Sequence, residues 1–189
     1  MILYGLLCIE ILARGILEIR ECRAFQMKGG IFVILRLIPL INDIVPLPEK
    51  RGAVLDGGSG EKEAAFVREH EKGHAAAHHS VLRNLVKVIF LLLGVWFLAA
   101  MLYRFGHPIW IAVLYLHLVA IPFRIFFHFY CWNQEYEADS YALKKLGKNK
   151  AKEAMLKLAE NEIPYTKLFA LVYREHPTAP LRYKNLFKK

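Results

Sequence analysis

His70-Glu71-Lys72-Gly73-His74 is the stretch from which the rest of the chain can be read. As a helix it sets His70 and His74 one turn apart on one face. Two imidazoles at that spacing grip one Zn²⁺, and Glu71 beside them is placed to act on a water at the metal. The run before it, Glu61 to Glu69 (EKEAAFVRE), is rich in helix formers. Ser59 stands at an N-cap position, with Lys62 where a capping-box Glu would be. The motif therefore falls inside a helix. In a chain with 8 His the pattern by itself carries little weight, and its helical setting carries the reading.

Downstream, Ala75-Ala76-Ala77 prolongs the helix, and His78 and His79 follow. Ser80 occupies the place of the last His in the longer H-E-x-x-H-x-x-G-x-x-H pattern, which excludes that zinc class. A third ligand must come from elsewhere. Val88 to Tyr103 is an apolar run of 16 residues, extendable back to Val81 past Arg83, Asn84 and Lys87. A helix over 81–103 is about 35 Å long, enough to cross a hydrocarbon core. Arg104 to Pro108 makes a turn, and Ile109 to Phe123 is a second apolar run holding His117 and Pro122. Trp96, Tyr103, Trp110 and Tyr115 supply interfacial aromatics, and Arg124 snorkels. The pair reads as a transmembrane hairpin, with a buried soluble helix pair as the alternative. His117 reads as a satisfied interior residue.

Both ends of a hairpin lie on one side, so the helix before it can meet the helix after it. The latter is Asn133 to Leu143, where Glu135, Asp139 and Ala142 share a face. Gly147 caps its end. Ala151, Ala154, Met155, Leu158 and Ala159 then recur at helical spacing, as in an amphipathic packing face. Tyr165 to Arg174 is a short helix, and His176-Pro177-Thr178-Ala179-Pro180-Leu181-Arg182 leads into a last basic one.

At the other end, residues 1–19 predict a helix with a polar stripe of Glu10, Arg14 and Glu18. It is a poor signal peptide and reads as lying on a membrane interface or packing on the protein, with a spanning helix as the alternative. Ile31 to Ile41 is too short to span comfortably. Arg51 to Asp56 predicts a short strand ended by Gly57-Gly58-Ser59-Gly60, with an edge that can take a substrate backbone.

The chain of 189 residues is 56% hydrophobic with a net charge of +9. From Lys144 onward 12 Lys/Arg stand against 4 Asp/Glu. Beside a membrane segment such a block favours an anionic lipid surface over nucleic acid. Cys8, Cys22 and Cys131 form no C-x-x-C pair and read as inert thiols.

H-E-K-G-H, a membrane hairpin, E-Y-E-A-D and H-P-T-A-P-L-R, in that order, resemble the integral-membrane zinc metalloproteases of the HtpX and CaaX prenyl endopeptidase type, over about residues 50–189. The resemblance implies Glu135 as third zinc ligand, Asp139 as support for a ligand imidazole, and His176 facing the substrate oxyanion. It also implies a role near the second ligand for His79. Asn133 and Gln134 stand where that family usually has an Arg. The membrane sensor metalloproteases of β-lactam resistance fit less well, since Ala138 stands where they favour Cys.

The residues and the resemblance imply one mechanism. His70, His74 and Glu135 hold one Zn²⁺ per chain and leave a position for water. Glu71 takes that water's proton and delivers it to the leaving amine. His176 and the metal stabilise the oxyanion, and Asp139 fixes a His tautomer. The expectation is a mostly α membrane protein: a zincin-like helical catalytic domain with a small β element and an inserted transmembrane hairpin. Its parts are a membrane-associated segment at 1–48, the first part of the protease domain at 49–80, the hairpin at 81–128, and the second part at 129–189. It would be multi-pass, with the catalytic domain on the cytoplasmic face, a polypeptide as substrate, and no nucleic-acid partner. The competing class is a membrane protein with a structural zinc site, or a degenerate protease acting as a binding partner.

Overall fold

The computed structural model describes residues 2–24, 61–162 and 165–187. Seven α-helices lie among these residues: α1 Ile2–Ala24, α2 Glu61–Ala76, α3 His79–Ala99, α4 Ile109–Leu146, α5 Lys148–Asn161, α6 Lys167–Tyr173 and α7 Ala179–Phe187. No strand occurs among the described residues, so the expected small β element is not supported. The stretches read for it and around it, Ile31 to Ile41, Arg51 to Asp56 and the Ser59 cap, lie outside the described residues. The described residues fall into two compact units, α1 with residues 85–125 and residues 61–84 with the described part of 126–187.

In the first unit, α1 buries Leu3, Leu7, Arg14 and Leu17 while Ile2, Ile9, Leu12 and Ile16 are exposed. The predicted polar stripe turns inward rather than to an interface: Glu10 pairs with Arg14 at 2.5 Å and both its oxygens lie 2.8 Å from Nε2 of the buried His117. The Glu18 side chain lies outside the description. Along α3, Leu91, Leu92, Val95 and Trp96 are exposed, an apolar surface larger than water-solvated helices carry singly. α3 ends in a π-turn, Ala100–Arg104, where Phe105 N–H donates to the Ala100 carbonyl, and Gly106 takes φ 62°. Two helices, His79–Arg104 and Ile109–Leu146, are long and apolar enough to cross a membrane by length and composition.

One continuous helix replaces two predicted ones. The second apolar run and the Glu135 helix join as α4 across Pro122. Proline costs a hydrogen bond in a helix interior, and here it does not end the helix.

In the second unit, Phe66 of α2, Ala142 of α4, and Ala151, Ala154 and Met155 of α5 form a fully buried core. Tyr183, Leu186 and Phe187 of α7 pack against it. This is the amphipathic face read at 151–159. Gly147 at φ 81° makes the corner between α4 and α5, a conformation that costs glycine nothing.

Candidate metal centre

The centre is built where α2 and α4 pass at close range. A Cβ placed on Gly73 would stand 3.0 Å from Ala138 Cα and 3.2 Å from the Ala138 carbonyl oxygen. Only a residue without a side chain permits that approach unstrained. It brings His70 and His74 of α2 onto Glu135 and Asp139 of α4, each pair one helical turn apart.

His70 Nε2 and His74 Nε2 lie 3.0 Å apart. The Glu135 carboxylate reaches them at 3.3 Å and 3.2 Å, and one ligand atom from each residue falls within a 4.8 Å triangle. Tetrahedral zinc with bonds of about 2.0–2.1 Å spaces its ligands about 3.3 Å apart, so the residues fit the ion. The tautomers agree. His70 Nδ1 lies 2.9 Å from Asp139 Oδ1; a proton donated there leaves Nε2 a bare lone pair. Asp139 is gripped in turn by Arg182, whose Nε donates to Oδ2 at 2.9 Å and whose Nη2 donates to Oδ1. On the second ligand, His74 Nδ1 faces His79 Nδ1 at 2.8 Å, and His79 Nε2 faces Glu137 Oε2 at 3.4 Å. A proton at each of these contacts, donated outward toward Glu137, again leaves His74 Nε2 bare.

His79 reaches His74 because the helix does not run on as its alanines suggest. Ala77 and His78 form a turn, with His78 at φ 53°, and α3 starts afresh at His79. A left-handed residue is uncommon outside glycine, though histidine is among those enriched there.

Electrostatics follow the same contacts. Burial pushes the Glu135 carboxyl up, but hydrogen bonds from His176, and from His70 and His74 when their Nε2 atoms carry protons, outweigh it and hold the group far below the carboxylate range. Burial likewise raises Asp139, and Arg182 and His70 reverse it to a lowered value. For His70, burial lowers the imidazole, and Asp139 and Glu135 raise it beyond its ordinary value. His79 is lowered by burial and by its neighbour His74.

Glu71 is exposed and lines a cavity of about 280 Å³ together with His70, His74, Glu135 and His176. His176 is more than half exposed, with Nδ1 3.0 Å from Glu135 Oε1. Its loop is anchored by Glu162, whose carboxylate accepts from the Ala179 N–H and pairs with Arg174 at 3.0 Å. Trp132 of α4 holds the same segment, donating to the Arg174 carbonyl at 3.1 Å. The seven residues singled out from sequence thus lie in one unit, around one cavity or one shell behind it.

Three contributors carry little signature in the sequence. Arg182 stands inside the quoted H-P-T-A-P-L-R stretch, and Gly73 inside H-E-K-G-H. Arg83 left only the trace of a charge interrupting an apolar run. It donates to Gln134 Oε1 at 2.6 Å and to Glu135 Oε1 at 2.8 Å.

The sequence profile of Peptidase family M48 matches residues 13–189. No curated protein and no solved structure matches the chain.

Proposed function

Because the chain belongs to peptidase family M48, the metalloprotease family of HtpX and the CaaX prenyl endopeptidases, we propose that it is a membrane-embedded, zinc-dependent endopeptidase acting on extended or membrane-associated polypeptide segments. The observation that carries this is the meeting of His70 Nε2, His74 Nε2 and the Glu135 carboxylate beside exposed Glu71 in one cavity.

His70, His74 and Glu135 would hold one Zn²⁺. When bound, the ion polarises the scissile carbonyl and acidifies water. The chain's own residues do the rest. Glu71 accepts the proton of the attacking water and returns it to the departing amine, so the peptide bond breaks with no net proton gained or lost. His176, at the cavity wall, donates to the developing oxyanion. Asp139 and Arg182 behind His70, and His79 behind His74, keep both imidazoles in the ligating tautomer. The exposed apolar length of α3 and the first half of α4 supports a bilayer around the first unit. The basic surplus after Lys144 supports anionic lipid at the cytoplasmic face, where the catalytic domain would work, and no nucleic acid.

The test compares wild type with Glu71→Gln in detergent-purified chain. Zinc should stay near one per chain in both, while peptide cleavage falls by about 10²–10⁴-fold in the variant. Zinc retention without cleavage in wild type, unaltered by Glu71→Gln, would hand the chain to the structural-zinc or degenerate reading.

A further inference from the structure

Glu135 sets Oε2 3.3 Å from His70 Nε2 and Oε1 3.2 Å from His74 Nε2, yet a carboxylate turns easily about its last bond. Something must hold the carboxylate in that orientation. Arg83 sits at that point. Its Nη2 donates to Glu135 Oε1 at 2.8 Å, and its Nε donates to Gln134 Oε1 at 2.6 Å. Gln134 and Glu135 are neighbours on α4, and both are buried. The guanidinium is therefore forked onto two successive residues of one helix. Its side chain is 15% exposed, so little water competes. A planar guanidinium makes two fixed bonds at once, which an ammonium does not.

The backbone explains how it gets there. Arg83 lies four residues after His79, on the same face of α3. The left-handed turn at His78 that aims His79 at His74 therefore also aims Arg83 at Glu135. One corner of the chain braces two of the three proposed ligands.

We propose that Arg83 is a positioning residue for the metal centre: by holding Oε1 it fixes the orientation in which the Glu135 carboxylate meets the His70 and His74 imidazoles. This rests on the reading of His70, His74 and Glu135 as ligands. A second effect opposes it, because a fixed positive charge repels a divalent cation. Orientation and repulsion predict opposite signs, which makes the matter measurable.

The experiment is zinc affinity of the full chain in detergent, by competition with a chromogenic chelator, for wild type, Arg83→Met and Arg83→Lys. Circular dichroism of each metal-free protein and the visible spectrum of each Co²⁺-loaded one accompany it. Arg83→Met should weaken zinc by about 10–100-fold, the range for losing a group that orients a ligand. Its helicity should be unchanged and its Co²⁺ spectrum altered. Arg83→Lys should fall between, since a point charge cannot fork. Unchanged or tighter zinc in Arg83→Met overturns the proposal. So does a Lys variant equal to wild type, which would show that charge alone matters, or a loss of helicity that accounts for the lost zinc. Wild type that binds no zinc overturns this proposal and the endopeptidase reading together; wild type that binds it while Arg83→Met is indifferent overturns only this one.

Discussion

Gly73 of α2 faces Ala138 of α4 so closely that a Cβ on the glycine would lie 3.0 Å from the alanine Cα and 3.1 Å from Tyr141 Cβ. The two helices that supply the proposed ligands are set apart by that contact. Gly73→Ala should push α2 outward by tenths of an ångström, because two of the three nearest atoms are helix backbone and cannot swing away. Overpacking of this kind costs about 1–3 kcal/mol, more than the gain in helix propensity of about 1 kcal/mol. Thermal melting should therefore drop, and zinc affinity with it. A variant as stable as wild type with full zinc binding would contradict the close-packing account.

Glu135 and Glu137 lie two residues apart but differ in setting. The Glu135 side chain is 1% exposed among three histidines and Arg83, while that of Glu137 is 69% exposed with one 3.4 Å contact to His79. Glu135→Ala should abolish stoichiometric zinc. Glu137→Ala should keep it, weakening affinity by less than tenfold. Metal analysis after dialysis decides, and equal loss from both would show the wrong carboxylate was chosen.

The metal-free protein should show a stability maximum in mildly acid solution. Burial raises the Glu135 and Asp139 carboxyls, but their hydrogen bonds leave both below their ordinary values of 4.5 and 3.8. Their stabilisation is thus present above those values and lost as pH falls through the lowered ones. Burial lowers His70, but Asp139 and Glu135 leave it above its ordinary 6.5. Its stabilisation is full below 6.5 and lost as pH rises through the raised value. His79, lowered by burial and by His74, adds its stabilisation only as pH rises through its lowered value toward 6.5, so melting in excess chelator should peak toward the upper end of the window of about pH 4.5–6.5. A melting temperature that rises steadily past pH 8 would contradict the His70–Asp139 pairing.

The turn between α3 and α4 should face away from the cytoplasm if the basic end is cytoplasmic. Gly106 sits at φ 62°, so a cysteine there would strain the backbone; exposed Phe105 is the better probe. In a chain with Cys8, Cys22 and Cys131 changed to alanine, Phe105→Cys should react with an impermeant maleimide on intact cells. Reaction only after permeabilisation would reverse the proposed orientation.

The His pair, the Glu135–Asp139 pair and the two apolar runs were legible in the residues because each depends on a helical repeat, a property of spacing along one short segment. The buried face of α5 was legible for the same reason. The inward turn of Glu10 onto His117 was not, because a polar stripe looks alike whether it meets water or a partner. Nor was the helix break at His78, which runs against the propensity of the alanines before it, or the passage of α4 through Pro122.

By itself, then, the sequence determined that two imidazoles share a helix face, that a carboxylate pair shares another, and that two apolar runs lie between them. Only the tertiary structure decided that these faces meet. It did so through a glycine with no side chain at the crossing, a left-handed residue at a corner, and Arg83 and Arg182 reaching in from other helices. Such contacts join residues tens of positions apart, and no local repeat records them. They are fixed by the packing of whole helices, where a few tenths of an ångström at Gly73 decides which side chains can touch.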